Sequence, residues 1–167
     1  MSRVFSFPPL ARPDATRLIL GSMPGTASLQ ADQYYAHPRN AFWRIMDGLF
    51  GIPFDWGYER RCTALVEQGI AVWDVLKACD RPGSLDSNID RSTLAANDFV
   101  GFFAAHPAIE SLYFNGATAE QLFKRHVVST LDTSSASIRT ARLPSTSPAH
   151  AALSYEQKLE RWKVIAS

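Results

Sequence analysis

The run Ile70-Ala71-Val72-Trp73, held between Gly69 and Asp74, has no polar face. A strand of this kind is buried on both sides by helices, as in parallel sheets. The rest of the chain supplies those helices. Further strands are expected at Arg17–Leu20, Ile109–Phe114 and Ile138–Leu143, with helical spacing between them. Phe42-Trp43, Ile45-Met46 and Leu49-Phe50 mark a helix from about Asn40 to Phe50, stopped by Gly51-Ile52-Pro53. Tyr58–Gln68 follows, with Gly69 as its C-cap. Thr93–Ala105 reads as a helix turning Leu94, Phe99, Phe102 and Phe103 inward, and Thr118–Val128 as another after the Asn115-Gly116 turn. Ser154 and Gln157 are spaced as a capping box for a last helix to Ile165. Residues 1–16, with Pro8, Pro9 and Pro13, read as an extended lead-in packing Phe5 and Phe7 on the domain, and Cys79–Ile89 and Thr130–Ser137 as loops. This alternation predicts a three-layer α/β/α sandwich around a mainly parallel sheet, in one domain spanning residues 1–167.

Composition narrows the function classes. At 46% hydrophobic and 20% charged, the 167 residues match an ordinary globular domain able to bury a sizeable core. No apolar run approaches the ~20 residues that cross a bilayer, and Met1–Pro9 lacks the apolar core of a signal peptide, so a cytoplasmic protein without a membrane partner is expected. Cys62 and Cys79 have no metal-ligand spacing and are expected as buried, reduced thiols. A net charge of +1 gives no global sign of nucleic-acid binding. Any basic rim would be local, with Arg39, Arg44, Lys77, Arg81 and His150 as candidates.

The strand at Arg17–Leu20 ends in Gly21-Ser22-Met23-Pro24-Gly25, a tight turn that exposes backbone. About a dozen polar and aromatic residues separate it from the next helix, a length that marks functional connections. They close on Tyr34-Tyr35-Ala36-His37-Pro38-Arg39-Asn40. Near the C-terminus stands Leu143-Pro144-Ser145-Thr146-Ser147-Pro148-Ala149. These two blocks, in this order and at this separation, resemble the uracil-DNA glycosylase superfamily and most closely its hypoxanthine-DNA glycosylase branch. The resemblance implies a four-stranded sheet in order 2-1-3-4, numbering the strands along the chain. It also implies a monofunctional enzyme, acting as a monomer, that hydrolyses the N-glycosidic bond of deaminated bases in DNA. Neither metal nor cofactor is implied.

The same resemblance distributes roles. In much of the superfamily an Asn or Asp at the third place of the first motif positions the attacking water; that place holds Met23, whose thioether cannot. The hypoxanthine-acting branch also lacks that residue and uses the asparagine of the following motif, here Asn40. From spacing alone, Asn40 reads first as a helix N-cap, and the resemblance is what favours the catalytic role; the two can coexist. Tyr35 matches the aromatic on which the base stacks, although core packing explains it as well. Backbone N–H groups of Met23 and Gly25 would meet a base carbonyl, and His37 is expected to be structural. Asp74 stands where the superfamily reads the base edge, and as an ionised acceptor it would favour the ring N–H of hypoxanthine or uracil; bracing the next loop is its alternative role. Ser145 falls where relatives stabilise the departing base. Ser28, Ser147, Pro148, Ala149 and His150 would contact DNA, the last three where relatives often carry a bulky leucine wedge. Serines between prolines are also ordinary turn formers. Two other readings compete. Met23 motivates a non-catalytic binder of damaged DNA. A nucleotide-handling α/β enzyme is disfavoured, because the sequence has neither Gly-x-x-x-x-Gly-Lys nor Gly-x-Gly-x-x-Gly.

Overall fold

The computed structural model describes residues 3–167, so the first two residues of the lead-in lie outside the described residues. Its first half runs β1 (Arg3–Phe5), β2 (Arg17–Gly21), α1 (Thr26–Ala31), α2 (Phe42–Phe50), α3 (Tyr58–Glu67), β3 (Ile70–Asp74) and β4 (Leu76–Asp80). The second half runs β5 (Asp90–Ala96), α4 (Phe99–Ala105), β6 (Ser111–Asn115), α5 (Ala117–His126), α6 (Thr133–Ala136), β7 (Arg139–Leu143) and α7 (Tyr155–Trp162). The main sheet has the order β3-β2-β6-β7 with every pair parallel, which is the expected order of the four strands. All five residues of β3 are buried.

Alternation along the strands decides which layer each side chain joins. Leu18 and Leu20 of β2, Ala71 and Trp73 of β3 and Leu112 and Phe114 of β6 face α4 and α5, where Phe99, Phe102, Leu122 and Phe123 close a core. Ile19, Ile70, Val72 and Tyr113 point the other way, into Phe42, Ile45, Met46, Leu65 and Trp162 of α2, α3 and α7. Each fully buried side chain of this size contributes ~1.5–3 kcal/mol. The capping box at Ser154 and Gln157 forms as expected, and Gly69 (φ 81°) supplies the left-handed residue after the last turn of α3. Cys62 and Cys79 are buried and free.

Several expectations need correction. Residues 93–96 are not helical: Thr93-Leu94-Ala95-Ala96 ends β5, and the helix starts only at Phe99, where the Asp98 carboxylate accepts the Gly101 N–H at 3.0 Å. Cys79 and Asp80, read as the start of a loop, instead end β4, which forms a second sheet in the order β1-β4-β5, antiparallel throughout. Phe5, on the outer strand of that sheet, is 60% exposed, whereas Phe7 packs edge-on against Tyr34. Helix α2 begins two residues later than expected, and α1 and α6 occupy stretches read as irregular.

The two sheets meet at Asn97, whose Nδ2 donates to the carbonyls of Asp74 (2.8 Å) and Leu76 (3.2 Å) while its N–H donates to Val75 O (2.9 Å). Removing the amide strands two carbonyls at the exit of β3. Asn97→Ala is expected to lower unfolding free energy by about 1–3 kcal/mol, read from urea denaturation; unchanged stability would mean that water replaces the amide without loss.

Candidate active site

Because the main strands are parallel, Gly21, Asp74, Asn115 and Leu143 all end at one edge, Gly21 opposite Asp74 and Asn115 opposite Leu143. In open α/β sheets ligands bind at this edge. The two motifs are fastened together there by residues that the sequence reading passed over. Asn115 Oδ1 accepts the Thr146 N–H (2.9 Å) and its Nδ2 donates to Thr146 Oγ1 (3.0 Å). Thr146, 1% exposed, accepts the Ala41 N–H on its own carbonyl at 3.0 Å. Asn40 is thereby held beside the Ser145 loop. Its Oδ1 accepts the Phe42 N–H at 2.9 Å, so the side chain does satisfy the first helical amide, while Ala41 is the geometric N-cap. The Asn40 Nδ2 has no protein partner among the described residues.

Tyr35 takes φ 56°, a left-handed conformation that costs a non-glycine residue about 1–3 kcal/mol. Its ring stacks on Phe42 at 4.2 Å, which occupies one of its faces, and its hydroxyl turns toward Gly21. A Cβ on Gly21 would stand 2.6 Å from Asp74 Oδ1 and 3.1 Å from Tyr35 Oη, so this glycine is required by close approach. Tyr35 Oη and Asp74 Oδ2 are both buried without a hydrogen-bond partner among the described residues. Burial pushes the Asp74 carboxyl up to about 7; the like charge of Asp86 adds to the rise and Arg81 opposes it. At neutral pH Asp74 is therefore divided between carboxylate and acid, and in the acid form it can donate as well as accept. Burial, with Asp74 second, raises the Tyr35 phenol and keeps it protonated.

Around the first turn, Met23 packs into the core shared with α4 and α5. Gly25 has an unremarkable φ of −75°, and a Cβ there would meet Ser84 at 3.6 Å, so neither strain nor crowding demands glycine. Ser28 is buried and its Oγ accepts the Ala36 N–H at 3.1 Å, which ties α1 to the approach to Asn40. Arg81, expected at a basic rim, is instead 2% exposed; its Nη2 donates to Pro24 O (2.7 Å) and its Nε to Gly83 O (2.9 Å).

In the second motif, Ser145 Oγ accepts the Ser147 N–H (3.2 Å) and Ser147 Oγ accepts the Ala149 N–H (3.1 Å). Both serines are turn formers, and each hydroxyl keeps its own proton for a further acceptor. The Ser147 carbonyl receives the His150 N–H at 3.0 Å and the buried Lys158 ammonium at 3.2 Å; Pro148 is half-buried and Ala149 exposed. Trp162 Nε1 donates to Pro144 O (2.9 Å). His37 Nδ1 accepts the Arg39 N–H at 3.0 Å, a structural role. A cavity of about 320 Å³ between Pro8, Tyr34 and Tyr58 lies outside this constellation. Among the described residues, no group of three His, Cys, Asp or Glu could hold a metal ion.

The parallel sheet thus gathers at one edge the glycine-proline turn, the asparagine at a helix start and the serine-proline loop on which the resemblance to DNA glycosylases rests. The chain belongs to the uracil DNA glycosylase superfamily, whose sequence model matches residues 8–166. A Methanosarcina acetivorans protein named hypoxanthine DNA glycosylase is 38% identical over 114 residues, 68% of this chain and 71% of that one. A Methanosarcina barkeri protein of the same name is 37% identical over 111 residues, 66% and 69% of the two chains. The solution NMR structure of a candidate uracil DNA glycosylase from Methanosarcina acetivorans superimposes with a TM-score of 0.80 at 32% identity, covering 98% of this chain and 96% of that one.

The position of Asp74 has a consequence for stability. Its carboxyl titrates near 3.8 ordinarily and near 7 in the fold, so between those values the folded protein binds more protons than the unfolded chain. The contribution of this group is therefore fully present below about pH 4 and is lost as pH rises to about 7. Asp74→Asn removes that slope. Thermal melts from pH 4 to pH 8 should show the variant gaining on wild type as pH rises, and a constant difference would place the carboxyl in water.

Proposed function

We propose that this protein is a monofunctional DNA glycosylase that removes deaminated bases, hypoxanthine foremost and uracil second, from DNA in base excision repair. The observation that carries this reading is the pair of buried, unpartnered atoms Asp74 Oδ2 and Tyr35 Oη, on two side chains that both reach Gly21, through Asp74 Oδ1 and Tyr35 Oη, at the sheet edge that also holds Asn40 and Ser145. A flipped base brings hydrogen-bonding edges to such groups, since chemistry at the glycosidic carbon is inaccessible inside a duplex. The two relatives named hypoxanthine DNA glycosylase support the choice of base.

Hydrolysis passes through an oxocarbenium-like sugar with the base leaving as an anion, so the protein has to orient water and stabilise charge. Asn40 orients the water through its free amide and the second lone pair of Oδ1, while its bond to Phe42 N–H holds it still. The Ser145 hydroxyl and the N–H groups of Met23 and Gly25 stabilise charge on the departing base. Asp74, as carboxylate, accepts the ring N–H that hypoxanthine and uracil present and that adenine and cytosine lack. Tyr35 lines the base with the face that Phe42 leaves open. Ser147, Pro148, Ala149 and His150 meet the DNA backbone, and Ser28 acts by holding the loop that carries Tyr35 and Asn40. The protein works as a monomer in the cytoplasm.

A second reading, a non-catalytic binder of damaged DNA, is favoured by one observation: Met23, where many relatives position water, is part of the hydrophobic core. An oligonucleotide carrying one deoxyinosine separates the two. The enzyme leaves an alkali-labile abasic site; a binder only retards the strand. If Asn40 orients the water, Asn40→Ala loses about 10²-fold or more in single-turnover rate, the scale of removing a preorganised catalytic donor. Asn40→Asp keeps the cap and isolates the catalytic part. Full activity of Asn40→Ala would sink the role, whatever its stability.

A further inference from the structure

We infer that Leu85 is the side chain that enters the DNA stack when the damaged base leaves it, an assignment that rests on the glycosylase reading. Extruding a base opens a gap, and an apolar side chain inserted between base steps holds it open. The second motif supplies only Pro148, Ala149 and His150 for this purpose.

Leu85 is 51% exposed, and single exposed leucines are ordinary in themselves. What distinguishes this one is its mounting. On one side of it, Ser84 Oγ accepts the Thr26 N–H (2.8 Å) and donates to Thr26 Oγ1 (2.7 Å). On the other, Asp86 Oδ1 accepts the Ser22 hydroxyl at 2.6 Å. Arg81 binds the same turn through Pro24 O. Asn88 closes the loop on itself, its N–H donating to Leu85 O (3.0 Å) and its Nδ2 to Pro82 O (3.2 Å). Residues 81–88 are thus clamped to the turn after β2 on both sides of Leu85, at the sheet edge where Asp74 and Tyr35 lie. Among the described residues the other large exposed apolar side chains are Phe5, Phe54, Val100, Val128 and Val164. None of them stands on a segment bonded to that turn. A leucine held out of a braced loop beside the base site is preorganised for insertion, and its energetic return is the burial it gains there.

The test uses the whole protein and a deoxyinosine duplex with 2-aminopurine next to the lesion. Wild type raises the 2-aminopurine fluorescence on binding, and Leu85→Ala abolishes most of that rise. The ratio of duplex to single-strand cleavage falls about tenfold or more in Leu85→Ala, the scale of one leucine side chain leaving water. Leu85→Ile restores both readouts, and unchanged melting temperatures exclude a folding defect. Leu85→Ala with a wild-type fluorescence rise and a wild-type ratio overturns the assignment. A wild-type protein that raises the fluorescence through Leu85 yet leaves no abasic site keeps the wedge and overturns the catalytic reading. One that does neither overturns both.

Discussion

The candidate site depends on one half-buried hydrogen-bonded joint, that of Asn115 with Thr146. A single asparagine side chain at the end of β6 uses its acceptor and its donor on one residue of the C-terminal loop, and that residue's carbonyl then receives the Ala41 N–H from the start of α2. Three segments distant in sequence are thereby set relative to one another. A side-chain amide matched on both sides is a geometric constraint as well as an energy, because each bond fixes the plane in which the other forms. Breaking it would leave the polar groups of the buried Thr146 unpaired, at about 1–3 kcal/mol for each that water does not reach.

The same edge carries a concentration of local cost. Tyr35 is held in the left-handed region, and Asp74 is buried as a carboxyl that resists ionisation. Three of the buried polar atoms without partners, Tyr35 Oη, Asp74 Oδ2 and Arg81 Nη1, lie on residues grouped about the turn after β2. Burial of this kind is tolerated because the two hydrophobic layers around it are large: Tyr35 leans its ring on Phe42 of one layer, and Phe99 and Phe123 close the other, without drawing on the unpartnered polar atoms themselves. Strain and unmatched polarity gathered at one place are a property of functional sites.

The second sheet gives that edge its rim. Strand β4 leaves β3 after only Val75, whose N–H donates to Gly21 O (2.8 Å), and Leu76 N–H donates to Ser22 O (3.1 Å). The turn after β2 is therefore paired from the side before β4 turns outward to β1 and β5. The chain returning from β4 then covers the turn, with Arg81 and Ser84 bonded to it. A turn that looks like a free loop in sequence is in fact walled by two passes of another segment.

Local chemistry alone determined much of this protein. The wholly apolar Ile70–Trp73 required helices on both faces, Gly69 and the Ser154 capping box set helix limits, and the Gly21–Gly25 turn marked one end of the candidate site. These features rest on near neighbours, so they are readable from spacing. Thr93–Ala96 misled because its apolar residues suit either period; pairing with β4 made it a strand, and Asp98 set the helix start behind it. Arg81 read as surface because arginines usually are, and only the carbonyls of Pro24 and Gly83 make its burial possible. Asn115 and Thr146, 31 residues apart, carry no local sign of their bond. The ionisation of Asp74 was likewise decided in three dimensions: removal from water outweighs every neighbouring charge, and whether water reaches a carboxyl depends on what the rest of the chain packs around it.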